Sequence, residues 1–250
     1  MSEDRIALIT GGNKGIGLQI AKDLAGRGLT VLIGSRKLEN GEKAAQAIGE
    51  KAHAIQLDVT DEASIRAAAE RIRREFGRLD ILVNNAGIVG EFPEGTPFEE
   101  RLKFNAPSQA PLNYIRSVYE TNVFGVIAVT QAMLPLLREA LAGRIVNLGS
   151  SSGSLTLNAN PDFQYRNVFG AAYSPSKTAL SATTLAFAIE LEKTNIKVNV
   201  VCPGFVATDL NDHRGFRTVE QGAKQAVKMA LIGPDGLTGT FSDEDGTVPW

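Results

Sequence analysis

Tyr173 and Lys177 stand four residues apart in Tyr173-Ser174-Pro175-Ser176-Lys177, a spacing that puts both side chains on one face of a helix. An ammonium beside a phenol favours its ionised form. A tyrosine titrates at about 10, and a lowering by a few units makes the phenol an acid–base group usable near neutral pH. Pro175 is tolerated in a helix only in the first turn, which sets the pair at a helix start whose dipole acts in the same direction. Alone, such a pair is more often coincidence than chemistry, so its weight rests on what accompanies it.

A second group of residues suits an anion. Thr10-Gly11-Gly12-Asn13-Lys14-Gly15-Ile16-Gly17 follows the apolar run Ile6-Ala7-Leu8-Ile9 and precedes Ile16, Ile20 and Leu24 at helical spacing. It reads as a strand-to-helix turn in which Gly11, Gly15 and Gly17 let the backbone approach a pyrophosphate. The unpaired N–H groups of the helix start then point at the charge. About 20 residues past such glycines a dinucleotide fold usually carries an Asp or Glu for the ribose 2′-hydroxyl. Here the position holds Ser35, followed by Arg36. A carboxylate repels a 2′-phosphate, whereas a guanidinium grips one with paired charge-assisted hydrogen bonds, so the exchange predicts NADP(H). Lys14 brings a second cation near the same pocket; the bland alternative for both is a solvated surface cation.

These groups need a scaffold that brings them to one edge. Strands are expected over 5–10, 30–34, 53–57, 80–83, 144–148 and 196–201, alternating with helices up to about Gly28 and over 38–48 and 62–76 and with the central helices carried by 112–141. Such alternation makes an α/β unit with a parallel sheet, whose ligands sit at the C-terminal strand ends. Asp58-Val59 closes the third strand, where Asp58 could accept a hydrogen bond from an adenine amino group. The start of the next helix is better served by Asp61, with Ser64 three residues on. Asn84-Asn85-Ala86-Gly87 closes the fourth, two amides and a glycine suited to a backbone that bends around a ligand. Gly149-Ser150-Ser151-Ser152-Gly153 follows the fifth. Asn122 lies inside an apolar helical stretch, which is costly unless its amide is used. Residues 88–111, with Gly90, Pro93, Gly95, Pro97, Pro107 and Pro111, form a loop longer than a connector needs, which favours a substrate-side flap.

Composition bounds the rest. With 250 residues, 43% of them hydrophobic, and a net charge of -2, the chain can bury a sizeable core as one domain over 1–250. The near-neutral charge and lack of basic runs argue against nucleic acid. A single cysteine, Cys202, excludes an internal disulfide. The start Met1-Ser2-Glu3-Asp4 is acidic rather than signal-like, and no apolar run is expected to reach the length of a membrane span, so a cytoplasmic protein without membrane partners is the simplest expectation. His53 and His213, the only histidines, have no partners at ligand spacing, and no metal is expected.

Taken together, the glycine turn at 10–17, Asn84-Asn85-Ala86-Gly87, Asn122, Ser150, Tyr173 with Lys177, and Pro203-Gly204-Phe205-Val206-Ala207-Thr208 resemble the short-chain dehydrogenase/reductase family over nearly the whole chain. Within it the chain is most similar to NADPH-dependent carbonyl reductases, through Asn13-Lys14, Cys202-Pro203-Gly204, Glu220-Gln221-Gly222-Ala223 and the close from Gly239-Thr240-Phe241 to Trp250. The resemblance implies a seven-stranded parallel Rossmann sheet with helices on both faces, and NADPH-dependent reduction of a ketone, aldehyde or quinone. It implies Tyr173 as proton donor and Ser150 as holder of the carbonyl oxygen. Lys177 would sit on the nicotinamide ribose, Asn122 would anchor a water in the proton relay, and Thr208 would bond the nicotinamide carboxamide. Gly11, Asn13, Lys14, Gly15, Ile16, Gly17, Ser35, Arg36, Asp58, Val59, Asn85, Ala86, Gly87, Pro203, Gly204 and Val206 complete the cofactor contacts that the matching implies. Ser150 is preferred to Ser151 and Ser152 because it stands three residues after Asn147.

One departure is the 22 residues between Ser150 and Tyr173, more than the family usually has, including Asn158, Pro161, Phe163, Gln164, Tyr165 and Phe169. This insertion, 151–172, would roof the substrate pocket, cover a helix face used between subunits, or lie in solvent; it leaves monomer and homo-oligomer both open. The segment 205–218, with Asp212, His213, Arg214 and Gly215, is expected to close over substrate and exclude water. An oxidative alcohol dehydrogenase and a non-catalytic NADPH sensor are the alternatives, and the intact Tyr173–Lys177 pair weighs against the second.

Overall fold

A computed structural model of the chain describes residues 5–90, 92, 95–97, 100–101 and 104–250. The acidic start 1–4 and Pro93 of the expected flap lie outside the described residues. Short aliphatic runs form seven strands: β1 (Ile6–Thr10), β2 (Thr30–Ser35), β3 (Ala52–Gln56), β4 (Ile81–Asn84), β5 (Arg144–Leu148), β6 (Lys197–Val201) and β7 (Phe241–Ser242). They pair in parallel in the order β3-β2-β1-β4-β5-β6-β7. The order reverses between β1 and β4, so the crevice beyond the C-terminal ends of those strands is the topological switch point.

Helices cover both faces because strand side chains alternate. Ile6 and Leu8 of β1 enter one core with Ile65 and Ile72 of α3 (Glu62–Phe76), Val129 and Met133 of α5 (Gly125–Arg138) and Ala188 of α7 (Tyr173–Glu190). Ala7 and Ile9 enter the other with Ile20 and Leu24 of α1 (Gly15–Ala25), Ala44 of α2 (Leu38–Ile48) and Ala226 of α8 (Val219–Ala230). Two further helices are α4 (Leu112–Tyr119) and the short α6 (Leu155–Ala159) within the insertion. Asp61 caps α3 by accepting from Ala63 N–H, while the Ser64 hydroxyl accepts from Asp58 N–H at 2.9 Å.

The central helices expected within 112–141 are α4 and α5, joined through a π-helical turn at Glu120–Phe124, and two points are corrected. The second helix ends at Arg138, short of Leu141. The pieces join end to end as Leu112–Arg138, 27 residues with an 18-residue window of mean hydropathy 1.3, so among the described residues one helix is long and apolar enough to cross a membrane by length and composition. The helix is nevertheless 56% buried over that window, and Val129, Met133, Leu136 and Leu137 lie in the sheet's core, as expected of a core helix.

Candidate active site

The glycine turn is built to receive an anion. Gly11 (φ 60°) and Gly15 (φ 56°) adopt left-handed backbone that a side chain would strain. Lys14 precedes α1 without supplying a side-chain cap, so the first N–H groups of that helix are not taken by a capping oxygen. Asn85 fixes the turn against β4: its Nδ2 donates to Thr10 O (2.9 Å) and Gly11 O (3.1 Å), and a Cβ on Gly17 would come within 2.4 Å of that nitrogen. The Thr10 hydroxyl accepts from Asn85 and Ala86 N–H, both at 3.0 Å. The expectation that side chains satisfy the bent backbone after β4 is met in this way. Opposite the turn, a Cβ on Gly15 would meet Thr208 Cγ2 at 3.6 Å, so Thr208 faces the glycine turn across the crevice. Ser35 is buried, donating to Lys37 O at 2.9 Å, and Arg36 stands exposed beside it at the end of β2.

The catalytic candidates converge where β4, β5 and β6 end. Tyr173 is the first residue of α7 and Pro175 lies in its first turn, as the sequence requires. Lys177 is buried, donates to Leu148 O at 2.7 Å, and holds Nζ 5.7 Å from the Tyr173 ring centroid. A Cβ on Gly87 would lie 3.5 Å from Lys177 Nζ and 3.3 Å from Asn122 Oδ1, which ties the end of β4 to the same corner. Ser150 starts a 3-10 turn (Ser151–Gly153), accepts from Ser152 N–H at 3.3 Å, and its Oγ is 2.9 Å from Ser152 Oγ. That turn presses on α7: a Cβ on Gly153 would be 2.7 Å from Lys177 Cβ.

Asn122 sits fully buried in the π-helical turn and uses its whole amide. Its Oδ1 accepts from Ile88 N–H (2.8 Å), and its Nδ2 donates to Ile88 O (2.9 Å) and Ser176 Oγ (3.0 Å). The side chain therefore holds the backbone after β4 to the first turn of α7. Beneath it, Asn84 Nδ2 donates to Asn147 Oδ1 (2.8 Å), and Asn147 Nδ2 to Thr184 Oγ1 (2.8 Å), a buried polar network that fixes β4, β5 and α7 relative to one another.

The expected acidification of the phenol is corrected. Burial, with the adjacent Cys202 sulfur adding to it, pushes Tyr173 up to about 12, against a hydrogen bond from Ser150 that pulls it down. Burial draws Lys177 down to about 8, with the Cys202 sulfur acting the other way. Taking both groups out of water outweighs the four-residue spacing.

The loops meet over this corner. Asp209 follows Thr208 and pairs with Lys14 at 2.6 Å and with His213 Nε2 at 3.0 Å, so Lys14 is engaged by the 205–218 segment; Asp209 is held below the usual carboxylate range first by that hydrogen bond. Arg101 of the 88–111 loop pairs with Asp212 at 2.8 Å, and Asn105 receives Ala171 N–H (2.8 Å) and Ala172 N–H (3.1 Å). Sequence reasoning missed these links because 111 positions separate Arg101 from Asp212. It also missed Cys202, whose Sγ accepts from Ser151 N–H (3.2 Å) and Gly204 N–H (3.4 Å) and so joins the Ser150 turn to the Pro203-Gly204 turn. Its place immediately before Pro203 was the available signal. His53 packs against Phe76, with ring centroids 5.7 Å apart, and the described residues hold no cluster of three or more metal-ligating side chains.

A parallel sheet with this strand order and a glycine-cradled helix start at its switch point defines a Rossmann-type dinucleotide-binding protein. The chain matches the short chain dehydrogenase family over residues 5–216 and belongs to it. It is 34% identical to salutaridine reductase of Papaver somniferum, with 97% of this chain and 95% of the relative covered. The solved structure of salutaridine reductase from that organism superposes with a TM-score of 0.80 at 33% identity, covering 96% of this chain and 99% of that one. Menthone neomenthol reductase from Mentha piperita gives 0.78 at 29% identity, covering 97% and 99%. The chain is thus an oxidoreductase of that family.

Proposed function

We propose that the protein is a cytoplasmic reductase that uses NADPH to convert a ketone, aldehyde or quinone to an alcohol. The observation that carries the reading is the buried Lys177 ammonium beside the Tyr173 phenol, next to Ser150 and across the crevice from the uncapped start of α1. The left-handed glycines and the close facing of Gly15 and Thr208 fit a bound dinucleotide, with its pyrophosphate on the helix start. Arg36 favours a 2′-phosphate and so NADPH over NADH.

When bound, the reduced nicotinamide supplies the hydride that adds to the carbonyl carbon. Ser150 donates a hydrogen bond that holds the carbonyl oxygen in place. Tyr173 gives its phenolic proton to the oxygen as charge develops there, and the upward push on its acidity keeps that proton in place at neutral pH. Lys177, fixed by Leu148 O, stabilises the phenolate left behind and would orient the ribose of a bound cofactor. Asn122 holds the backbone after β4 to α7, and Asp58 and Val59 would border the cofactor's adenine. The names of the relatives, a salutaridine reductase and a menthone neomenthol reductase, support a small-molecule carbonyl substrate.

The test is NADPH consumption against a panel of ketones, aldehydes and quinones, with Tyr173→Phe measured beside the wild type. Turnover that depends on Tyr173 is expected; tight NADPH binding with no turnover on any compound would point to a sensor instead.

A further inference from the structure

We propose that Tyr165 of the insertion and Phe205 form an aromatic wall of the substrate site that selects carbonyl compounds with a flat, extended apolar body. The inference rests on the reductase reading and names its substrate class.

Four rings run in a row from the insertion to the 205–218 segment. The centroids of Phe163 and Tyr165 are 5.7 Å apart, those of Tyr165 and Phe205 6.3 Å, and those of Phe205 and Phe216 6.0 Å, all within the range of favourable aromatic pairing. One member of the row is linked through the backbone to the Ser150 turn. Phe205 directly follows Gly204, whose N–H bonds the Cys202 sulfur that also holds Ser151 N–H, next to Ser150.

The insertion is bound to its own chain on both sides. Asn158 Nδ2 donates to Ser152 O (3.0 Å) and Ser154 O (2.7 Å), tying α6 to the Ser150 turn, while Asn105 holds the backbone at Ala171 and Ala172. With Arg101 paired to Asp212, the three loops make one connected body. The Tyr165 ring thus packs against Phe205 of the 205–218 segment of its own chain, which favours the pocket as the place of the insertion.

The row is left partly open. Phe205 and Leu210 each keep 38% of their surface exposed and Phe216 keeps 74%, an apolar rim that gains stability when an apolar molecule covers it. A flat fused-ring body offers a face for offset packing against Phe205 and Tyr165, and a short aliphatic carbonyl does not.

The test compares two 1,2-diones with the same reacting group, 9,10-phenanthrenequinone and 2,3-butanedione, in the wild type and in Tyr165→Phe, Tyr165→Leu, Phe205→Leu and Phe205→Ala. The ratio of kcat/KM for the fused-ring dione over the small one is expected to fall about tenfold in Phe205→Leu and Tyr165→Leu, through KM, and to hold in Tyr165→Phe. Calorimetric binding of phenanthrenequinone to the NADP+-loaded protein should weaken by a similar factor in the leucine variants. An unchanged ratio and unchanged binding in both leucine variants overturns the wall, as does a Tyr165→Phe loss equal to that of Tyr165→Leu. If the wild type reduces neither dione nor any compound of the carbonyl panel, the reductase reading fails on its own, and the calorimetric comparison still decides whether the rings hold a flat ligand.

Discussion

Lys177 Nζ stands 5.7 Å from the centroid of the Tyr173 ring and donates to Leu148 O at 2.7 Å, yet the phenol beside it is harder to ionise than a free tyrosine. A phenol held up at about 12 is protonated throughout the neutral range, the state a proton donor needs and the wrong state for a base. Reduction is therefore expected to run on a plateau across neutral pH, while the reverse alcohol oxidation climbs as pH rises toward the tyrosine's titration. The kcat profiles of both directions check this, with Tyr173→Phe expected to lose about 10²- to 10⁴-fold in reduction while still binding NADPH. Oxidation that is flat from pH 6 to 9 would mean the bound cofactor has already drawn the phenol down.

The same burial sets a stability prediction at Lys177. Its folded value, about 8, lies below the ordinary 10.5, so its contribution is complete above 10.5 and is lost as pH falls through 8. Below that point the buried charge costs at most about 3 kcal/mol, from roughly 1.36 kcal/mol per unit. Lys177→Met is expected to abolish reduction and to raise the melting temperature at pH 7, less than that figure suggests because Leu148 O loses its donor. Melting curves at pH 7 and pH 10.5 measure it, with the gain confined to the lower pH; a variant less stable by the same amount at both would show that the charge is not strained.

The proposed preference for NADPH turns on Arg36. It is exposed at the end of β2 next to buried Ser35, and the charge-assisted bonds it would make to a 2′-phosphate, about 1.5–3 kcal/mol, correspond to roughly 10- to 100-fold in selectivity. Arg36→Asp should lower the NADPH-over-NADH ratio of kcat/KM by that factor. An unchanged ratio would remove the assignment of this pocket.

Much of the frame was legible because it rests on local patterns. The runs Ile6–Ile9 and Ile81–Val83 are too apolar to lie anywhere but inside a sheet covered on both faces, and Pro175 could stand only where a helix begins. Gly11 and Gly15 read as a turn because their φ values of 60° and 56° are ones that side chains resist. What escaped depends on distance in sequence or on burial. The Arg101–Asp212 pair, the Asn105 clamp and the Cys202 sulfur bonds join residues that no spacing rule relates. The direction of the Tyr173 shift escaped for another reason: the sequence shows the helper charge and hides how much water the fold removes from both groups.

Gly153 tests whether the Ser150 turn and α7 are set as a unit. A Cβ there would fall 2.7 Å from Lys177 Cβ, 2.8 Å from its backbone carbonyl carbon and 2.9 Å from Thr178 N, contacts with helix backbone that cannot move aside cheaply. The Thr178 hydroxyl already draws the turn in by donating to Gly153 O at 2.6 Å, so the added methyl must push the turn, and Ser150 with it, away from Tyr173. Gly153→Ala should cost about 1–3 kcal/mol in stability, the range for overpacking. It should also lower kcat more than it raises the KM for NADPH, because the glycine turn at 10–17 is built separately, by Asn85 and Thr10. Thr178→Val, which removes the hydroxyl and adds no bulk at residue 153, should show a weaker form of the same split. If Gly153→Ala lost stability with kcat unchanged, Ser150 would be positioned by its own capping bonds to Ser152 and owe nothing to contact with α7.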